Sequence, residues 1–217
     1  MHGPSPVRHL VVRWLIPVVL TLAPQVEAAV DERLAAALRF LGTLSPDQRD
    51  IASTTISAAD RTTWSYLPGP RPGLRIADLR DDQEPAFRAF LLAALGTSGS
   101  KRVERIRNTE PVEDRGGGVL LGPDEFRVRF FGISGDGDPP AWSWRLEGHH
   151  LSLHQTIVDD AIVSITPIFV GSVARHDEVG EVLGAEDLLA HGMLEGVAPE
   201  RRRLCLDPRP LPGDLRT

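Results

Sequence analysis

The sequence predicts an α+β protein: N-terminal helices packed on a three- to four-stranded antiparallel β-meander, followed by C-terminal helices. Three observations carry this. Between about residues 30 and 109, apolar residues recur at helical spacing and are punctuated by capping residues. Between about 126 and 170 they alternate with period two, as in strands with one buried face. Strand and helix patterns do not alternate along the chain, which argues against a parallel sheet with crossover helices.

The chain's 217 residues suit one domain, and 41% hydrophobic with 25% charged residues is a composition that buries a core without staples. Residues 1–28 read as a signal peptide. Arg8 and Arg13 make a basic start, an apolar run follows, and Val26-Glu27-Ala28 suits cleavage. That run contains Pro17 and is about half of the roughly 20 residues a spanning helix needs. The expectation is a secreted or periplasmic protein with no stable membrane span after cleavage. Residues 29–207 then form a single α+β domain, and residues 208–217 a tail with Pro208, Pro210 and Pro212.

Removing Arg8, Arg13 and Glu27, a net +1, takes the formal charge from −6 to −7. An acidic chain whose one basic run is Arg201-Arg202-Arg203 is not expected to bind nucleic acid. Cys205 stands alone, so no intramolecular disulfide forms, and its expected role is that of a small buried hydrophobe.

The first helix is expected from about Val30 to Leu41, with Val30, Leu34, Ala37, Leu38 and Leu41 on one face and Gly42 ending it. Ser45-Pro46-Asp47-Gln48 has the residues of a capping box with proline at the first helical position, and the helix it opens is expected to reach about Ile56. Pro68-Gly69-Pro70-Arg71-Pro72-Gly73 precludes regular structure. With Trp64 and Tyr66 it makes either a packing plug or one wall of a binding cleft. A third helix starts near Asp81–Pro85 and stops at Gly96, and a fourth runs from Lys101 to about Thr109 around Val103 and Ile106.

Pro111–Pro123 is a loop without the Lys-Ser/Thr of a phosphate-binding loop. Phe126, Val128 and Phe130 alternate with Arg127 and Arg129. The turn Ser134–Pro140 is no calcium loop, because the twelfth position counted from Asp136 is Glu147, inside an expected strand. Asp159-Asp160 turns the chain into a strand over Ala161–Ile168, with Pro167 marking an edge or an exit. Helices over about Ala185–Gly196 and Pro199–Cys205 close the chain.

The densest chemistry lies in Trp142–Thr156. Trp142, Trp144 and Leu146 share one parity; Leu151, Leu153 and Ile157 share the other. One straight strand cannot face both sets the same way, so a β-bulge or sharp bend is expected at Gly148. The histidines here admit three readings: metal ligands, a general base oriented by an acid such as Glu147, or partly buried sheet residues. His150 and His154 lie four apart on a strand, roughly 13 Å, too far to share an ion.

Four blocks resemble the bacterial family of unknown function DUF3500. They are Trp64-Ser-Tyr-Leu-Pro68 with Arg71-Pro-Gly73-Leu74; Trp144-Arg-Leu-Glu-Gly-His149-His150-Leu-Ser-Leu153; Thr166-Pro167 with Phe169 and Gly171; and the helix after Gly184. Together they span about Ser45 to Arg203. The resemblance implies a protein of a kind often secreted and supplies no activity, cofactor or catalytic residue. Members usually carry asparagine where this chain has His154, which leaves Glu147, His149 and His150 as candidates. Members also have a tyrosine-rich strand where this chain has Phe126–Phe131.

The expected site is therefore a cleft between the Trp64–Arg71 loop and Gly148. Glu147, His149 and His150 are its candidate catalytic residues, with His149 and His150 as ligands if a divalent transition metal binds. Trp64, Arg71 and Trp144 are its substrate-binding walls. Two functions stay open: a secreted hydrolase-like enzyme, and a non-catalytic extracytoplasmic ligand-binding or structural module.

Overall fold

The computed structural model describes residues 31–114, 116, 120–133, 139–173, 176–177 and 180–205. The expected signal peptide, the proline-rich tail and the turn residues 134–138 lie outside the described residues.

Helix α1 (Glu32–Thr43) starts at Asp31, whose carboxylate accepts the Arg33 N–H, and buries Leu34, Ala37, Phe40 and Leu41. Helix α2 (Pro46–Ala52) opens on the full capping box, in which Ser45 and Gln48 satisfy each other's backbone N–H. It ends four residues earlier than expected. Ser53 and Thr54 instead form β1 (Ser53–Thr54), where the Ser53 hydroxyl bonds the Ile133 carbonyl at 2.5 Å. A 3-10 turn (Ala59–Thr62) and the proline-glycine loop follow, then β2 (Leu74–Arg75) and a second 3-10 turn (Ile76–Asp78).

Helix α3 (Glu84–Asn108) unites the two helices expected there, yet Gly96 stands inside it at φ 69° and ψ 177° and breaks the helical path. A small hairpin joins β3 (Glu113–Asp114) to β4 (Leu120–Leu121) within the expected loop. Next come β5 (Arg127–Phe131), β6 (Ala141–Gly148), β7 (Leu151–Val158), β8 (Ala161–Ser164) and β9 (Ile168–Val170). The chain closes with a hairpin of β10 (His176–Asp177) and β11 (Gly180–Glu181), then α4 (Gly184–Gly196) and α5 (Pro199–Cys205).

The fold class is α+β, but the sheet exceeds the expected meander. Strands β5-β6-β7-β8 form an antiparallel meander; β2 adds to β5 and β9 to β7, and β1 pairs with β5 in parallel, so the sheet is seven-stranded and mixed. The three additions are two or three residues long, too short to print a periodic pattern. Asp159 and Asp160 link β7 to β8 with φ 47° and 62°, the left-handed pair that suits a two-residue hairpin turn.

One face of the sheet carries the core. Phe40 of α1 and Phe87, Phe90 and Leu91 of α3 pack on Val128, Phe130, Trp142, Trp144 and Leu146. Phe90 stands edge-on to both Phe130 and Trp144, with ring centroids 5.0 Å apart in each case. Buried Gln155 ties the layers by accepting the Trp144 indole N–H at 3.0 Å and donating to the Ala94 carbonyl at 3.3 Å. Helices α4 and α5 bury no side chain, and Cys205, expected inside, is exposed.

The parity switch has a simpler cause than a bulge. Residues β6 and β7 pair as Leu146↔Leu153 and Gly148↔Leu151, so His149 and His150 are a two-residue turn. Paired numbers then sum to an odd value, and the even positions of β6 share a face with the odd positions of β7. Gly148 answers to a different demand: a Cβ there would overlap the Phe126 ring. Gly148→Ala should therefore lower stability by about 1–3 kcal/mol, as over-packing does. An unchanged midpoint in urea unfolding would show that Phe126 does not lie against Gly148.

Candidate functional site

The turn at His149-His150 is tied down from both sides. His150 has φ 62°, a conformation that costs a non-glycine residue on the order of 1 kcal/mol or more, although histidine enters it more often than most. Its N–H donates to the Tyr66 carbonyl at 3.0 Å, and its carbonyl accepts the Gly171 N–H at 2.7 Å. The Tyr66 ring stacks on Phe169 of β9 at 3.9 Å and 19°. The aromatic loop and the end of β9 thus hold the turn in its left-handed state. The two imidazoles come out side by side, with ring centroids 3.7 Å apart.

Both rings face one carboxylate. Glu110 follows the C-terminus of α3, its N–H on the Arg107 carbonyl at 3.0 Å, and its side chain is fully buried. His149 Nδ1 lies 2.8 Å from Oε2 and His150 Nδ1 lies 3.1 Å from Oε1. One ligand atom from each residue fits within 4.8 Å of the others. Tetrahedral ligands at 2.0–2.1 Å from zinc sit about 3.3 Å from each other, near the 2.8 and 3.1 Å that separate the two Nδ1 atoms from the Glu110 oxygens they face. Two histidines and a glutamate are one of the donor sets of catalytic zinc, where a fourth position stays open. Among the described residues no lysine or arginine pairs with Glu110, and the two imidazoles are the partners of its buried carboxylate there. The arrangement can hold a divalent cation, or orient two imidazoles as bases through their Nδ1 protons.

The model of the family "Protein of unknown function (DUF3500)" matches residues 26–204. The chain belongs to this family. No curated protein and no solved structure matches it.

In this DUF3500 chain the expected site residues separate into two groups. His149 and His150 come together, but with Glu110 in place of Glu147. Glu147 points to the opposite side of the sheet from the core, into a buried polar layer. Its Oε1 accepts the Ser65 N–H at 3.0 Å and the Ser152 hydroxyl at 3.1 Å, and lies 3.3 Å from His154 Nε2. Its Oε2 forms an ion pair with Arg145 Nε at 3.3 Å, at an angle that falls short of a hydrogen bond. Arg145 in turn bonds the carbonyls of Asp60, Thr63 and Pro72 and the Asp60 carboxylate. Glu147 and Arg145 therefore pin the loop over the sheet. His154 belongs to this layer, apart from the other two histidines.

The walls also divide. Trp144 is 1% exposed and packs in the core against Phe90. Trp64 is 36% exposed and leans on Tyr66, ring centroids 5.8 Å apart. Arg71 does reach the site side: it lines a small cleft together with His149. Glu110 escapes a reading of the sequence because it stands 39 residues before His149, outside any local ligand spacing. Its one local mark is a carboxylate between a helix end and Pro111.

Burial alone would raise the pKa of Glu147, but the hydrogen bond from His154, the charge of Arg145 and the Ser65 N–H outweigh it and hold the carboxyl below its ordinary value. A depressed folded-state value makes this stabilisation complete above the unfolded value of about 4.3 and lost as pH falls through the folded one. Glu147→Gln should cost about 3–5 kcal/mol at pH 7, as when one partner of a buried ion pair is removed. It should also flatten the fall of unfolding free energy below about pH 4.3. Equal acid slopes for the two proteins, from chemical denaturation across that range, would exclude this role.

Proposed function

We propose that the chain is a hydrolytic enzyme acting outside the cytoplasm, centred on a divalent transition metal held by Glu110, His149 and His150. The observation that carries this is a fully buried carboxylate facing two Nδ1 atoms at 2.8 and 3.1 Å, with no lysine or arginine paired to it among the described residues. A dication relieves that buried charge, whereas two neutral imidazoles only solvate it. Such an ion supplies Lewis acidity and a water acidic enough to be deprotonated near neutral pH. The chain's own part is to fix the two rings, through the clamped backbone of His150, and to keep the carboxylate dry. The extracytoplasmic setting is supported by residues 1–28, which have the charge and apolar pattern of a signal peptide.

The alternative is a non-catalytic extracytoplasmic ligand-binding or structural module. The clamped turn favours it, because a histidine pair bonded to Glu110 also fastens the end of α3 to the sheet.

His150→Asn separates the two readings. Asparagine tolerates the left-handed conformation, so the variant should melt within a few degrees of the wild type. Elemental analysis of protein purified without a histidine tag should find one zinc, cobalt or manganese per chain in the wild type, and at least a tenfold weaker affinity in His150→Asn and Glu110→Gln. A metal-free wild type that also fails to take up zinc or cobalt would leave the structural module standing.

A further inference from the structure

Arg71 differs from the arginines around it. Arg145 pairs with Asp60 at 3.2 Å and with Glu147 at 3.3 Å, and Arg129 pairs with Asp60 at 3.1 Å. Among the described residues Arg71 makes one hydrogen bond, from Nη2 to the Leu67 carbonyl, and no carboxylate lies within ion-pair distance of it. Its buried Nε has no hydrogen-bond partner among the described residues. Glu147 is near enough to stabilise its charge, but the Glu147 oxygens are already taken by Ser65, Ser152, His154 and Arg145. Desolvation first, then the positive charges of Arg127 and Arg145, push the guanidinium pKa down against the pull of Glu147. A cation held this way is costly until an anion reaches it.

That guanidinium and His149 line one cleft. Glycines at 69 and 122 also line it, and a Cβ on Gly69 would meet nothing within 4 Å, so the wall there is open. The carboxylate that shares the cleft, Glu125, is engaged with Arg75 at 3.2 Å.

We propose that Arg71 is the anion-binding residue of the Glu110–His149–His150 centre, so that the substrate carries an oxyanion, a phosphate or a carboxylate. This inference rests on the enzymatic reading above. A planar guanidinium offers paired N–H donors to either group, and Arg71 and His149 line the cleft that an anion would approach. The substrate class is thus a small anionic ester or amide, or the anionic end of a polymer.

The test is calorimetric titration of inorganic phosphate, and separately of acetate, into the full chain with and without zinc. Anion affinity should fall roughly tenfold or more in Arg71→Gln and recover in part in Arg71→Lys, with zinc affinity unchanged in both. Glu125→Gln removes a negative charge from the cleft and should tighten anion binding about twofold, which locates the anion in this cleft. Should Arg71→Gln not fold, Arg71→Lys and Glu125→Gln carry the test. Stronger binding of phosphate than of acetate would assign phosphate-bearing substrates, and the reverse order carboxylates. Zinc binding with anion affinity indifferent to Arg71 and Glu125 would overturn the inference and leave the metal centre intact. Anion binding through Arg71 in a protein that takes up no zinc would instead overturn the metal centre.

Discussion

When two antiparallel strands are joined by two residues, each paired set of positions sums to an odd number, and the parity that faces the core reverses from one strand to the next. Here that rule places Trp142, Trp144 and Leu146 beside Leu151, Leu153 and Ile157 against α1 and α3. It places Ser143, Arg145 and Glu147 beside Ser152 and His154 on the other face. A turn one residue longer would send one strand's leucines into the polar layer. The same two residues are the histidines that meet Glu110, so strand register and the proposed centre rest on a single constraint. The left-handed backbone of His150 is the local cost, met by hydrogen bonds to Tyr66 and Gly171.

The two buried glutamates show how similar residues acquire different roles. Glu147 has neighbours for both oxygens and an arginine beside it, and the network it completes reaches Asp60 and the proline-glycine loop. Such a carboxylate is saturated and holds structure. Among the described residues the Glu110 carboxylate faces the two imidazoles. Neutral imidazole carries its proton on one ring nitrogen and can offer the lone pair of the other to a metal, so this group of side chains retains the capacity to bind.

What could be read from residues alone follows the reach of each signal. The capping box at Ser45–Gln48, the helix stop at Gly96 and the Asp159-Asp160 turn are local, and each forms as the side chains dictate. Alternation in Phe126–Phe130 found the strand and its buried face. The central turn has no such local mark, because His149-His150 lacks the Asn-Gly or Asp-Gly chemistry of short hairpins, and its parity switch reads equally as a bulge. Period two tells which residues share a face, not whether that face meets solvent, so it does not show that Trp144 is buried. Glu110 is brought in by the packing of α3 on the sheet, a long-range event with no periodic trace. The short strands β1, β2 and β9 arise the same way, from loops that happen to run along a sheet edge.

The C-terminal helices stand outside this economy of burial. Leu188, Leu189, Met193 and Leu204 are each at least 70% exposed, and neither α4 nor α5 hides a side chain. Their attachment rests on polar links such as the Arg102–Glu186 ion pair. Segments with so little buried apolar area open at free energies far below that of global unfolding. Backbone amides in α4 and α5 therefore exchange with solvent deuterium by a local route, while those of β6 and β7 wait for the whole sheet to come apart.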